Sequence, residues 1–201
     1  KQKTAYEIVS RDWSSDVCSS DLDVHAALMV HPWPRDEAEP RIIAIRQLAI
    51  RYTGKEAHAA GFPHLGTNAA DAFVIAQTAI GLLRQHLHAS DRVHGIVTVG
   101  GAAPNIIPAF TEGHWMVRAA DLDRLDEVTE LVRRCFDAGA LATGCSVAID
   151  EHSLFADVRH DAELARIYAA NATALGRVLH APVSPVSTDM GNVSYVVPTI
   201  H

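Results

Sequence analysis

Between Arg41 and Asp150 the spacing of apolar residues switches from two to about 3.6 and back, and the order of the switches leaves few folds open. Ile42–Tyr52 alternates, with Leu48, Ile50 and Tyr52 on one face and Ala49 and Arg51 on the other, the period of a strand. Thr67 or Asn68 then offers a capping oxygen, Asp71 suits the positive end of a helix dipole, and Phe73, Ala76, Ile80, Leu83 and Leu87 recur along one stripe. The β-branched run Val93–Val99 ends at Gly100-Gly101. After a loop over Ala102–Pro108, Glu112–Ala119 alternates again, with Trp115 and Val117 sharing a face. Asp121 or Asp123 starts a second helix whose stripe is Leu125, Val128, Val132 and Cys135. Gly144 ends the turn, and Cys145, Val147 and Ile149 give a fourth strand. This is the βαββαβ order of ferredoxin-like domains, an α+β fold in which two helices cover one face of a four-stranded antiparallel sheet.

The flanks read differently. Val24–Val30 is a short apolar run ending in His31-Pro32-Trp33-Pro34, expected to be a buried strand running into a loop. Arg35–Pro40 is polar and closes on a proline, a boundary signal. Asp161–His180 reads as a separate amphipathic helix, and Pro182–His201 as a loop and strand.

The first residues stand apart. Lys1 and Lys3 lie there, while Lys55 is the one lysine elsewhere, and Ser10, Ser14, Ser15, Ser19 and Ser20 crowd a stretch with no helical or strand period. KQKTAYEI followed by RDWSSDVCSSDL resembles an in-frame translation of a sequencing-library adapter. Lys1–Leu22 is therefore expected to be an artefactual, disordered segment, Cys18 and Trp13 included, with a disordered native tail as the rival reading. The remainder is expected to be a fragment of a longer protein.

A net charge of −7 with no Lys/Arg cluster argues against a nucleic-acid partner. No apolar run approaches the roughly 20 residues needed to cross a bilayer, so no membrane partner and a cytoplasmic location are expected. The three cysteines lack metal-finger or redox spacing, and Cys135 and Cys145 read as buried thiols.

Four positions could carry chemistry. His58, in GKEAHAAGFPHLGTNAADA, follows a strand across a glycine turn and sits among small residues that let a ligand approach the imidazole. His31 enters a proline-fixed loop at the end of a strand, where α/β enzymes place ligands. Asn105, after two glycines, has the bland alternative of capping a turn. Ser187-Thr188-Asp189 has nucleophile residue types without a histidine at a readable spacing, so a capped turn is the simpler reading. His86, His88, His152, His160 and His180 read as surface or loop histidines among the twelve in the chain.

Taken in order, GKEAHAAGFPHLGTNAADA, RVHGIVTVGGAAPNIIP, WMVRAADLDRL and STDMGNVSYVVPTIH resemble the metal-dependent amidohydrolases of the aminoacylase and carboxypeptidase superfamily. The branch with aminobenzoyl-glutamate hydrolase B subunits and aminoacylase-1-like dipeptidases is the most similar, over nearly all of Asp23–His201. The resemblance implies a ferredoxin-like lid at 41–150 that also mediates homodimerisation, flanked by pieces of an α/β catalytic domain at 23–40 and 151–201. It implies His58 as the lid histidine that polarises the scissile carbonyl, Asn105 and Thr188 as substrate contacts, and His31 as a metal ligand. Two divalent ions, zinc or manganese, are implied for the full-length parent and are not expected on this fragment alone. His201 corresponds to a position short of the final ligand and is not assigned to metal. The implied reaction is hydrolysis, by metal-activated water, of an amide in an N-acyl amino acid, dipeptide or aminobenzoyl-glutamate-like small molecule. The rival is a non-enzymatic ferredoxin-like module for dimerisation or small-ligand binding. His31 separates the two, since such a module needs no strand of this kind ahead of it.

Overall fold

The structure, a computed structural model, describes residues 24–183 and 186–201. The expectations for Lys1–Leu22, Cys18 among them, fall outside the described residues. These divide into two compact units, one of 46–119 and 123–152, the other of the described residues up to 45 with 120–122 and those from 153 onward.

The first unit is built on a four-stranded sheet. In chain order the strands are β1 (Ala27–Leu28), β2 (Ala44–Thr53), β3 (Ala57–His58), β4 (Arg92–Val99), β5 (Ile106–Ile107), β6 (Phe110–Ala119), β7 (Ser146–Phe155) and β8 (Thr199–Ile200). The helices are α1 (Ala69–Leu83), α2 (Leu122–Thr143), α3 (Ala162–Ala174) and α4 (Met190–Ser194). The sheet order is β4-β6-β2-β7, with β4 at an edge and antiparallel to β6 from Arg92↔Arg118 to Val97↔Gly113. The strands of the four-stranded sheet and the helices α1 and α2 follow the strand, helix, strand, strand, helix, strand order expected between Arg41 and Asp150, and the two-residue strands β3 and β5 add a separate pair that the spacing does not announce.

Local chemistry explains the helix limits. Asn68, rather than Thr67, caps α1, its side chain accepting the Ala70 N–H at 2.9 Å. The apolar stripe outlasts the helix: a 3₁₀ turn over Arg84–His86 takes over, and Leu83 and Leu87 are only half-buried. Gly144, at φ +75°, ends α2 in the left-handed region that glycine reaches without strain.

Four aromatic rings fill the space between helices and sheet. Phe73 stacks on Trp115 with centroids 5.2 Å apart, Phe136 meets the indole edge-on at 5.1 Å, and Tyr52 meets Phe73 edge-on at 4.8 Å. The indole lies flat on the strands because two partners have no side chain. A Cβ on Gly95 would stand 2.4 Å from Trp115 Cγ, and one on Gly113 would stand 2.3 Å from Cζ3. Leu48, Ile50, Val117, Leu125, Val128 and Val132 complete the core at 1% exposure or less. Cys135 and Cys145 are free and buried, and burial pushes the Cys135 thiol above its usual range.

Tyr52 is fully buried and its hydroxyl donates to the Phe136 carbonyl at 2.7 Å. Burial first, then the charge of Asp137, holds this phenol well above its ordinary range. The folded state therefore keeps a proton that the unfolded chain releases near the ordinary tyrosine value of about 10. This contribution is full below that pH and is lost as pH rises beyond it. Urea melts of the wild type should weaken as pH rises from about 9.5 to about 11.5, and Tyr52→Phe should flatten that slope. Equal slopes in the two proteins would remove Tyr52 as its cause.

In the second unit β1 pairs with β8 in parallel, Ala27 opposite Thr199 and Leu28 opposite Ile200. Val24–Val30 is not the buried strand expected from its composition: only two residues pair, and Leu28 and Val30 are 62% and 85% exposed. An apolar run fixes neither length nor burial of a strand without a covering layer. The helix expected over Asp161–His180 is α3, capped by Asp161, whose carboxylate accepts from Glu163 and Leu164, and it stops ahead of Gly176 at φ +78°. The stretch expected as loop and strand from Pro182 also holds the short helix α4.

Candidate functional site

His58 sits on a loop closed at its base. Lys55 and Thr67 exchange backbone hydrogen bonds of 2.9 and 2.8 Å, and β3 pairs with β5, placing His58 opposite Ile106. The next amide, of Ala59, donates to the Asn105 carbonyl at 2.9 Å. The structure thus places Asn105 beside the residue that follows His58, and both His58 and Asn105 are exposed.

The loop tightens further beyond the histidine. Phe62 N–H returns to the His58 carbonyl at 3.0 Å, and Pro63 starts a 3₁₀ turn over Pro63–Leu65. Gly66 closes it where a Cβ would press on Ile107 at 2.9 Å and Ala57 at 3.0 Å. The His58 ring is itself held: Nδ1 accepts the N–H of Gly61 at 3.0 Å and that of Ala60 at 3.3 Å. Phe62, Leu65 and Ile106 stay 60%, 53% and 39% exposed, an apolar rim on a rigid frame.

In the second unit His31 is exposed, its Nδ1 lies 3.1 Å from the Pro32 carbonyl, and its ring stacks on His201 with centroids 6.0 Å apart. His201 has its Nε2 buried with no partner among the described residues. Burial lowers its pKa below the usual histidine range, His31 and His160 add to that, and Asp189 opposes it. Both rings line a cavity of about 250 Å³ that Trp33, Glu37, Tyr168 and Arg177 also bound. Thr188 turns its hydroxyl to Asp189 at 3.2 Å and takes the Met190 N–H at 3.4 Å, which is the capped turn its residue types suggest. Ser187 donates to the Ile43 carbonyl at 2.7 Å.

Among the described residues no group of three or more His, Cys, Asp or Glu side chains is placed to hold a metal ion. His31 supplies one imidazole, and one imidazole does not fit the four ligands a zinc ion takes or the larger shells of harder ions. No chemical step on this chain is therefore assigned to a metal. Sequence reasoning missed the stacking of His201 on His31 and the two amides that hold His58. The second had a readable signal: a histidine followed by Ala-Ala-Gly leaves its neighbouring amides unshielded.

Residues 45–143 match the peptidase dimerisation domain family. The Xaa-Arg dipeptidase of Mus musculus is 40% identical over 189 residues, 90% of this chain and 43% of that protein. The p-aminobenzoyl-glutamate hydrolase of Escherichia coli, in its B polypeptide, is 34% identical over 131 residues, 62% of this chain and 26% of that protein. A hydantoinase/carbamoylase family amidase from Burkholderia ambifaria superposes with a TM-score of 0.68 at 22% identity, over 88% of this chain and 46% of its own; this likeness concerns the fold alone. The chain spans less than half the length of these proteins. Both of these relatives are hydrolases by name, and the chain belongs with them to the aminoacylase and carboxypeptidase superfamily of amidohydrolases and peptidases.

Proposed function

We propose that the parent of this chain hydrolyses an amide bond in a small molecule of dipeptide, N-acyl amino acid or aminobenzoyl-glutamate type, and that His58 polarises the carbonyl under attack. The observation that carries this reading is the seat of His58: an exposed imidazole with one nitrogen tied to the backbone, on a loop pinned at its base. A donor held in place before charge develops stabilises an oxyanion without reorganising at the moment of reaction. Asn105, close to it in the same unit, is the candidate substrate contact. The dipeptidase relative supports a peptide bond as the scissile amide.

The sheet order β4-β6-β2-β7 supports reading 41–150 as a ferredoxin-like lid, with 23–40 and 151–201 as parts of the catalytic domain. His31 remains a proposed ligand for one of the divalent ions, zinc or manganese, that the resemblance implies for the parent. A cytoplasmic location is part of the same reading. Turnover of such amides by the full-length parent, with and without His58, tests the assignment.

A homodimer through the lid is the proposed assembly. The edge strand β4 supports it, since Ile96, Val97 and Val99 are 65%, 38% and 40% exposed and an edge offers unpaired backbone groups to a second copy. Ile96→Lys should convert a dimer to a monomer in sedimentation velocity, with thermal stability changed by no more than the separation itself brings. A dimer that survives the lysine would move the interface elsewhere.

A further inference from the structure

We propose that the backbone amides of Ala60 and Gly61 are positioning groups that fix His58 as a one-sided donor, with Nδ1 bare and the proton on Nε2. The inference rests on the reading of His58 as the carbonyl-polarising group and adds how the fold prepares it. A backbone N–H can only donate, so the contacts at 3.0 and 3.3 Å oblige Nδ1 to accept. A neutral imidazole that accepts at one nitrogen carries its hydrogen on the other. Moving that hydrogen to Nδ1 would point three N–H groups at one another and forfeit two hydrogen bonds.

The loop allots its amides accordingly. Ala59 N–H goes to the Asn105 carbonyl, those of Ala60 and Gly61 go to the ring, and Phe62 N–H goes to the His58 carbonyl. The first fastens the loop to the residue just ahead of β5, the next two orient the imidazole, and the fourth closes the turn. A Cβ on Gly61 would lie 3.4 Å from Nδ1 and 3.7 Å from Cγ, ordinary contact that leaves the amide free to donate. The consequence for mechanism is specific. Neutral His58 has Nε2–H to give to a carbonyl oxygen or oxyanion. It has no free lone pair with which to take a proton from water, so the general base must be another group.

The test uses the 201-residue chain labelled with ¹⁵N, at about pH 8, above the ordinary histidine range. The expected result is a His58 ring with Nε2 protonated and Nδ1 unprotonated, and a through-hydrogen-bond ¹⁵N–¹⁵N coupling between the Gly61 amide and Nδ1. Gly61→Ala should keep both. Gly61→Pro, which removes the N–H, should lose the coupling. In the full-length parent the proline variant should lower kcat by at least ~10-fold with KM within ~2-fold, since misplacement by about 1 Å can cost 10²-fold. A protonated Nδ1 or a missing coupling in the wild-type chain overturns the proposal, and neither measurement needs the proline variant to fold. Unchanged turnover in a folded Gly61→Pro enzyme also overturns it. If the ring signature holds while His58→Ala keeps full activity, the role of His58 falls and the orienting contacts stand.

Discussion

On the proposed role of His58, replacing it by alanine in the full-length parent should lower turnover by about 10²–10³-fold, the range for loss of one oxyanion donor. The loss should fall on kcat rather than KM, because a group aimed at developing charge contributes little to ground-state binding. Metal content and thermal stability should stay near wild type, since the side chain is exposed and its hydrogen bonds go to amides of its own loop. Surface substitutions of this kind usually shift stability by no more than about 0.5 kcal/mol. Steady-state kinetics on a dipeptide and an N-acyl amino acid, with a melt of the same preparation, decide the matter. Full activity in the alanine variant would remove His58 from the chemistry.

Trp115→Ala should destabilise the first unit by about 3–5 kcal/mol, the range for truncating a buried large aromatic. The indole is 4% exposed, stacked on Phe73, met edge-on by Phe136 and seated over Gly95 and Gly113. Collapse around the gap is hindered because those two glycines have no side chains to move into it. The readout is the urea midpoint of the 201-residue chain, with Trp115→Phe expected to recover most of the loss. A shift below about 1 kcal/mol would contradict an indole at the centre of the core.

How far the sequence was legible depended on period and cover. Where both faces of an element had a fate, as in Ile42–Tyr52 or the stripe from Leu125 to Cys135, alternation gave the element and its buried side. Val24–Val30 was misread because an apolar run states a preference for burial, and here no described layer covers Leu28 or Val30. Element ends failed where backbone geometry decided, as at Gly176. The site divided in the same way. His58 and Asn105 stood out by residue type and come close through the β3–β5 pairing, which no local pattern encodes. His31 and His201 come from opposite ends of the described chain, so a single sequence had no means of pairing them.

The edge at β4 has a second consequence, for handling the protein. Arg92–Val99 carries neither lysine nor proline, the residues that most often keep an open strand from recruiting copies. Its apolar Ile96-Val97 and Val99 flank one threonine, the composition of short segments that stack into cross-β aggregates. The strand that would complete an ordered assembly is thus also where a crowded or partly unfolded preparation would begin to precipitate.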